Sequence, residues 1–148
     1  MQPDELYLHA VSLLSHKDYS LREMRRVLRR CSDDATTIEG VIAHLLERDY
    51  LNDRRIAEKN VSRYLKRLYG PSLIRQELRQ KGIPQDVIEQ ALNDCDVDWL
   101  EIAAQCRIIN FGETPPSVPK EKARQMQFLQ NHGFSMDMII SAITPSKG

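Results

Sequence analysis

The sequence repeats itself with a period of about fifty residues, and a repeat of that length leaves few folds open. Moving the chain by 51 places lays Leu78 on Leu129, Gly82 on Gly133, Asp86 on Asp137, Ile88 on Ile139 and Ala91 on Ala142. Moving it the other way by 50 lays Met24 on Ile74, Arg25 on Arg75, Leu28 on Leu78 and Arg29 on Arg79, and carries Ile38 and Glu39 onto Ile88 and Glu89. Amphipathic helices share Leu and Ile at similar spacings by chance, but chance does not bring turn glycines and surface charges into the same frame. The unit reads as a first helix, a second ending near the glycine, and a short third. Three such units fill the chain as residues 1–49, 50–96 and 97–148. A unit this short buries little surface alone, so neighbours have to pack end to end. The expected fold is all-α, three tandem three-helix repeats packed into an elongated, curved body with no central pocket.

Local signals agree with that reading. Hydrophobic periodicity is helical nearly throughout, and β-branched runs with two-residue alternation are absent. Ser20-Leu21-Arg22-Glu23 and Thr36-Thr37-Ile38-Glu39 both fit the capping box, in which a hydroxyl and a glutamate satisfy orphan backbone amides reciprocally. Asn52 or Asp53 is placed to cap a helix running from Arg54 to Leu68. Gly70-Pro71 puts a residue tolerant of left-handed backbone after one helix and a proline where the next begins, and Gly82 with Pro84, then Gly133, repeat the stop. Asn110 to Pro119, with its three prolines, is expected to be a loop. Trp99, at the start of the third unit, is expected to anchor packing between units.

Several function classes fall away. Three cysteines without C-x-x-C spacing and four scattered histidines argue against a disulfide framework and against a zinc site. No Walker-type phosphate loop, G-x-G-x-x-G, G-x-S-x-G or H-E-x-x-H occurs, and the acidic residues of 82–101 read as helix caps in water. The expectation is therefore a non-enzyme that needs no cofactor and no metal. No apolar run is long enough to span a bilayer, and the first residues lack a secretory pattern, which points to a cytoplasmic protein.

Charge is the remaining clue. A net charge of zero conceals blocks, with residues 20–81 at +6 and residues 82–119 at −6. In the helix after Asn52, Ala57, Val61, Tyr64, Leu65 and Leu68 share one stripe, while Arg55, Lys59, Arg63, Lys66 and Arg67 fall on the opposite side. Arg22, Arg25, Arg26, Arg29 and Arg30 lie off the apolar stripe of the helix after Ser20, and Arg75 and Arg79 share a face of the helix after Pro71. Such faces are either solvated surfaces kept soluble by charge or surfaces kept for phosphates and carboxylates. Few glutamates stand at i+4 to neutralise them, and arginine's planar fork suits bidentate acceptors.

Four stretches carry a family resemblance. Tyr50-Leu51-Asn52-Asp53-Arg54-Arg55-Ile56-Ala57-Glu58 is similar to the G-x-L-D-D-x-R-F-A segment of the RecX family. Tyr69-Gly70-Pro71-Ser72-Leu73-Ile74-Arg75-Gln76-Glu77-Leu78-Arg79-Gln80-Lys81-Gly82-Ile83 resembles that family's most distinctive stretch. Tyr19 to Met24 resembles its opening S-x-x-E-L element, and Lys120 to Phe134 its closing one. The chain departs from the pattern with Asn52 for an aspartate, Ile56 for a phenylalanine, and Cys31-Ser32-Asp33 where the other units have a turn glycine.

The resemblance implies an all-helical negative regulator of RecA. It implies binding in the groove of the RecA–single-strand DNA filament, with inhibition of the recombinase, ATPase and co-protease activities by occupancy. The contact candidates are then Arg25, Arg29, Arg55, Lys59, Arg63, Lys66, Arg67, Arg75, Arg79 and Lys81. The expected partner is the RecA nucleoprotein filament, with single- or double-stranded DNA as a further partner and no membrane, the protein itself being a monomer. The alternative is a helix-turn-helix-like DNA-binding protein acting without RecA, since three-helix units resemble such domains. A third possibility is a helical scaffold for an unrelated protein.

Overall fold

A computed structural model describes residues 1–145. Within them the chain forms nine helices and no strand: α1 (Pro3–Leu14), α2 (Leu21–Cys31), α3 (Ala35–Glu47), α4 (Asp53–Lys66), α5 (Pro71–Gln80), α6 (Gln85–Asp94), α7 (Trp99–Phe111), α8 (Pro119–Asn131) and α9 (Met136–Ile143). No helix among the described residues is long and apolar enough to cross a membrane.

Helix starts follow local chemistry, with one exchange of partners. Ser20 forms the full capping box, its hydroxyl accepting from the Glu23 amide at 3.1 Å while the Glu23 carboxylate accepts from the Ser20 amide at 3.0 Å. Asn52 caps α4 through the Arg55 amide. The second expected box, at Thr36, does not form. Asp34 lies two residues earlier and its carboxylate takes the amides of Thr36 and Thr37, while Glu39 turns away to Arg25. An ionised carboxylate is the stronger acceptor and starts the helix first.

Two punctuation marks also differ from expectation. Helix α4 ends at Lys66, and the left-handed residue after it is Leu68 (φ 59°), not Gly70, which is extended at φ −79°. Gly70 is small for another reason, described below. The expected loop from Asn110 to Pro119 is shorter at both ends. Helix α7 continues through Asn110 and Phe111, and Pro119 is the first residue of α8, where a fixed φ and a missing amide cost nothing.

Each set of three consecutive helices closes on its own core. Leu6, Met24, Leu28, Ile42 and Leu45 centre the first, Ile74, Leu78 and Ile88 the second, and Cys106, Leu129 and Ile139 the third. The residues that superpose under the repeat occupy matching depths: Met24 with Ile74, and Leu28, Leu78 and Leu129, are all fully buried. The main helix packing lies within α1–α3, α4–α6 and α7–α9, so the body is three modules in a row with lighter contacts between units.

The junctions repeat too. At the first, the Leu21 amide donates to Asp53 Oδ1 at 2.9 Å and Arg22 donates to the Arg79 carbonyl at 3.3 Å. At the second, the Gly70 amide donates to the His132 carbonyl at 2.6 Å and the Ser72 amide to the Gly133 carbonyl at 3.0 Å. In both, the N-terminus of a unit's second helix rests on the glycine turn of the next unit. A β-carbon on Gly70 would collide with the Gly133 backbone, and one on Gly133 would collide with Leu73. Trp99 adds an apolar link, since it opens α7 yet packs on the second core.

Candidate polyanion-binding surface

The amphipathic division of α4 puts Ile56, Ala57, Val61 and Tyr64 in the core and leaves Arg55, Lys59, Arg63, Lys66 and Arg67 exposed. Asn60 is a polar intruder on the buried side, and both polar atoms of its amide are engaged. Nδ2 donates to the Ile56 carbonyl at 2.7 Å and Oδ1 accepts from Arg63 Nη2. That bond fixes Arg63, whose guanidinium also lies 5.3 Å from the Tyr64 ring centre.

The ten candidate cations divide into two groups. Four are engaged by carboxylates drawn from elsewhere in the fold. Arg25 pairs with Glu39 at 2.7 Å, Arg75 with Glu89 at 2.7 Å, Arg55 with Asp49 at 2.7 Å and Lys59 with Asp18 at 3.1 Å. The sequence expectation of faces with few neutralising acids is overturned for these four, because the counter-charges come from loops and packed helices rather than from i+4. The other six, Arg29, Arg63, Lys66, Arg67, Arg79 and Lys81, have no ion-pair partner among the described residues, and only Lys81 is less than exposed. Arg79 folds back on the Arg75 carbonyl at 3.3 Å and lies beside Glu89.

Arg25 and Arg75 make the same bidentate contact, each to a glutamate fourteen residues further on. Hydrogen bonds from these guanidinia hold the Glu39 and Glu89 carboxyls below the usual glutamate range. These arginines brace the second helix of their unit against the third, and that work limits what they offer a partner.

Lys59, Arg63 and Lys81 converge on a recess of about 310 Å³ between the first and second units. Lys17, from the segment between α1 and α2, joins them there; the helical-stripe reading missed it because it lies outside any helix. A second residue missed is Arg107, 3% exposed on α7. It meets no carboxylate and donates to the carbonyls of Gly112, Glu113 and Thr114 at 3.1–3.3 Å, shaping the turn that follows its helix. Nothing in its lone position in the sequence marks that role. The cysteines are free thiols, and burial pushes that of Cys106 up to about 11.

Comparison with known proteins agrees with this architecture. Residues 52–92 match the family description "RecX, second three-helix domain" and residues 110–143 match "RecX, third three-helix domain". A protein of Halorhodospira halophila called Regulatory protein RecX is 38% identical over 133 residues, spanning 90% of this chain and 83% of that one. One of the same name from Salmonella typhimurium is 36% identical over 140 residues, spanning 88% and 84%. The crystal structure of RecX from Lactobacillus salivarius superposes with a TM-score of 0.83 at 25% identity, covering 95% of this chain and 94% of that one. A second crystal structure, of a regulatory protein RecX, superposes at 0.77 with 22% identity, which speaks for the fold.

Proposed function

The chain belongs to the RecX family of regulatory proteins, and from that premise we propose that it is a non-enzymatic negative regulator of RecA, acting in the cytoplasm as a monomer. It lies in the groove of the RecA–single-strand DNA filament and inhibits the recombinase, ATPase and co-protease activities by occupying that groove. No bond is made or broken.

The observation that carries this reading is the row of Arg63 and Lys66 on α4 and Arg67 at its C-terminal cap, exposed and without an ion-pair partner among the described residues. A filament groove offers phosphates and acidic protein surface together, and an uncompensated cationic row on an extended body complements both. Arg29, Arg79 and Lys81 extend the same charge over the neighbouring elements. In that bound state Arg55 and Lys59 exchange exposed internal partners for external ones at little cost, because exposed pairs contribute only about 0–1 kcal/mol.

The helix-turn-helix alternative loses ground on one point. Such domains read DNA with a basic helix in the major groove. Here the third helix of each unit has no lysine or arginine, and α6 carries Asp86, Glu89 and Asp94. The candidate cations sit instead on α2, α4 and α5 and at the caps that end α4 and α5.

Co-sedimentation with pre-formed RecA–single-strand DNA filaments tests the proposal. Occupancy of the groove predicts bound protein in proportion to filament length. Binding that stays fixed per filament, whatever its length, would mean end capping and would remove groove occupancy from the account.

A further inference from the structure

The recess at the first junction is built by four separate segments: Lys17 and Asp18 from the α1–α2 connection, Glu23 from α2, Lys59 and Arg63 from α4, and Lys81 from the glycine turn after α5. We propose that this cleft binds phosphodiester groups of a single-stranded nucleic-acid backbone, so that one bound strand bridges the first and second units. The inference deepens the filament reading by naming which part of the body takes the nucleic acid. It rests on that reading only for the source of the strand.

Charge favours an anion here. Four cations face two carboxylates; Asp18 is paired with Lys59 at 3.1 Å and Glu23 accepts from the Ser20 amide at 3.0 Å, which leaves Lys17, Arg63 and Lys81 without an ion-pair partner among the described residues. One cation is held in place before any ligand arrives, Arg63, which is fixed by buried Asn60; the backbone of Lys81 adjoins Gly82, which rests on Ser20 and Arg22 of the first unit. Lys17 Nζ stands 4.5 Å from the Tyr19 ring centre. Pre-placed donors lose less freedom on binding than free surface side chains.

Chemistry suits phosphate, and spacing favours it over a protein carboxylate. Three of the four cations are lysines, which bind phosphate as compact point charges, and the arginine fork beside them matches phosphate oxygens as well. Beyond the cleft the row continues through Lys66 at the end of α4 and Arg67 at its cap, both exposed. Lys59, Arg63 and Arg67 are four apart in sequence, so a cation recurs about every 5–6 Å of helix. A backbone polyanion carries charge at regular intervals and can follow such a row. Carboxylates on a folded protein surface carry no such regularity.

The test measures anisotropy of a short fluorescein-labelled oligo(dT) with the full chain and no RecA, across a salt series, against Lys17→Gln, Lys81→Gln, their double variant, and Lys122→Gln in the third unit. The inference expects wild-type binding at low salt, at least tenfold weaker binding by the double variant, and a salt slope shallower by about 1.4, roughly 0.7 for each lost phosphate contact. The single variants fall between, K122Q stays within twofold of wild type, and polyglutamate of equal charge competes poorly. Absence of wild-type binding, wild-type affinity in the double variant, or efficient displacement by polyglutamate would each overturn it. RecA's ATPase, measured in parallel, separates the two claims. If wild type leaves the ATPase untouched while the oligo(dT) result holds, the regulator reading fails and the cleft stands. If the double variant loses ATPase inhibition but keeps oligo(dT) affinity, the cleft takes an acidic protein surface and this inference fails alone.

Discussion

Gly82 of the second unit backs onto Ser20 of the first so closely that a β-carbon on the glycine would lie 2.8 Å from the serine hydroxyl. That hydroxyl is already committed to capping α2, and Gly82 itself has a φ of +87°. Fifty-one residues on, Gly133 (φ +93°) meets Gly70 and Leu73 in the same way. The turn glycine therefore serves the junction as well as the turn. In the first unit the corresponding turn uses extended Ser32 in place of a left-handed glycine.

Substituting these glycines should cost stability in proportion to what each meets. Gly82→Ala adds left-handed strain and a side-chain clash, and is expected to lose about 1–3 kcal/mol. Gly133→Ala collides with backbone and should lose more. Gly40 lies inside α3 with nothing near its β-carbon position, so Gly40→Ala should stabilise by about 0.5–1 kcal/mol. Urea denaturation monitored by circular dichroism gives all three values, and a destabilising Gly40→Ala would contradict this account of α3.

The paired braces predict an acid response. Glu39 and Glu89 are held below the ordinary value of 4.5, each chiefly by its arginine, so the unfolded chain binds these protons first. Their contribution is complete above about 4.5 and is lost as pH falls through the lower folded values. Asp53 opposes them, since burial raises its carboxyl and protonation then favours the folded form. With more lowered groups than raised ones, stability should fall on acidification below about pH 4.5. Glu89→Gln should flatten that fall, and Asp53→Asn should steepen it. Melting temperatures across pH 3–6 check both directions.

Reversing the α4 row should separate binding from folding. Arg55, Arg63 and Arg67 are exposed, so changing all three to glutamate should leave the helical signal intact and weaken inhibition of RecA at least tenfold. Arg75→Gln should weaken inhibition far less, because Arg75 is engaged with Glu89 and about two-thirds covered. Its loss should cost stability of about 0.5–1 kcal/mol instead. Inhibition curves beside denaturation curves distinguish these effects. Unimpaired inhibition by the triple variant would remove the row from the mechanism.

Arg107 should matter to the third unit alone. Arg107→Met keeps the apolar stem but strips three carbonyls of their donor, at a cost on the order of 2–3 kcal/mol. Hydrogen exchange should quicken in α7 and in 112–118 while α1–α6 stay protected. Uniform loosening of all three units would contradict the separation of their cores.

Much of this was legible in the residues. The shifted pairs Leu78/Leu129 and Gly82/Gly133 announced the repeat because core depth and turn geometry recur with it. Arg25/Arg75 and Glu39/Glu89 fell into register too, but their bonding was hidden, because partners fourteen residues apart meet only once α2 packs on α3 and α5 on α6. Gly70 was misread because proximity to Gly133 is a tertiary fact with no local signal. Lys17 and Arg107 escaped for the same reason, one placed by the meeting of two units and the other by a turn that its own burial shapes.

Titrating the protein into RecA turning over ATP on single-stranded DNA tests the account most directly. Groove occupancy predicts that hydrolysis falls progressively towards the DNA-free level, with the Arg55, Arg63 and Arg67 charge reversal shifting the curve to higher concentration. Hydrolysis that stays constant at saturating protein would contradict it.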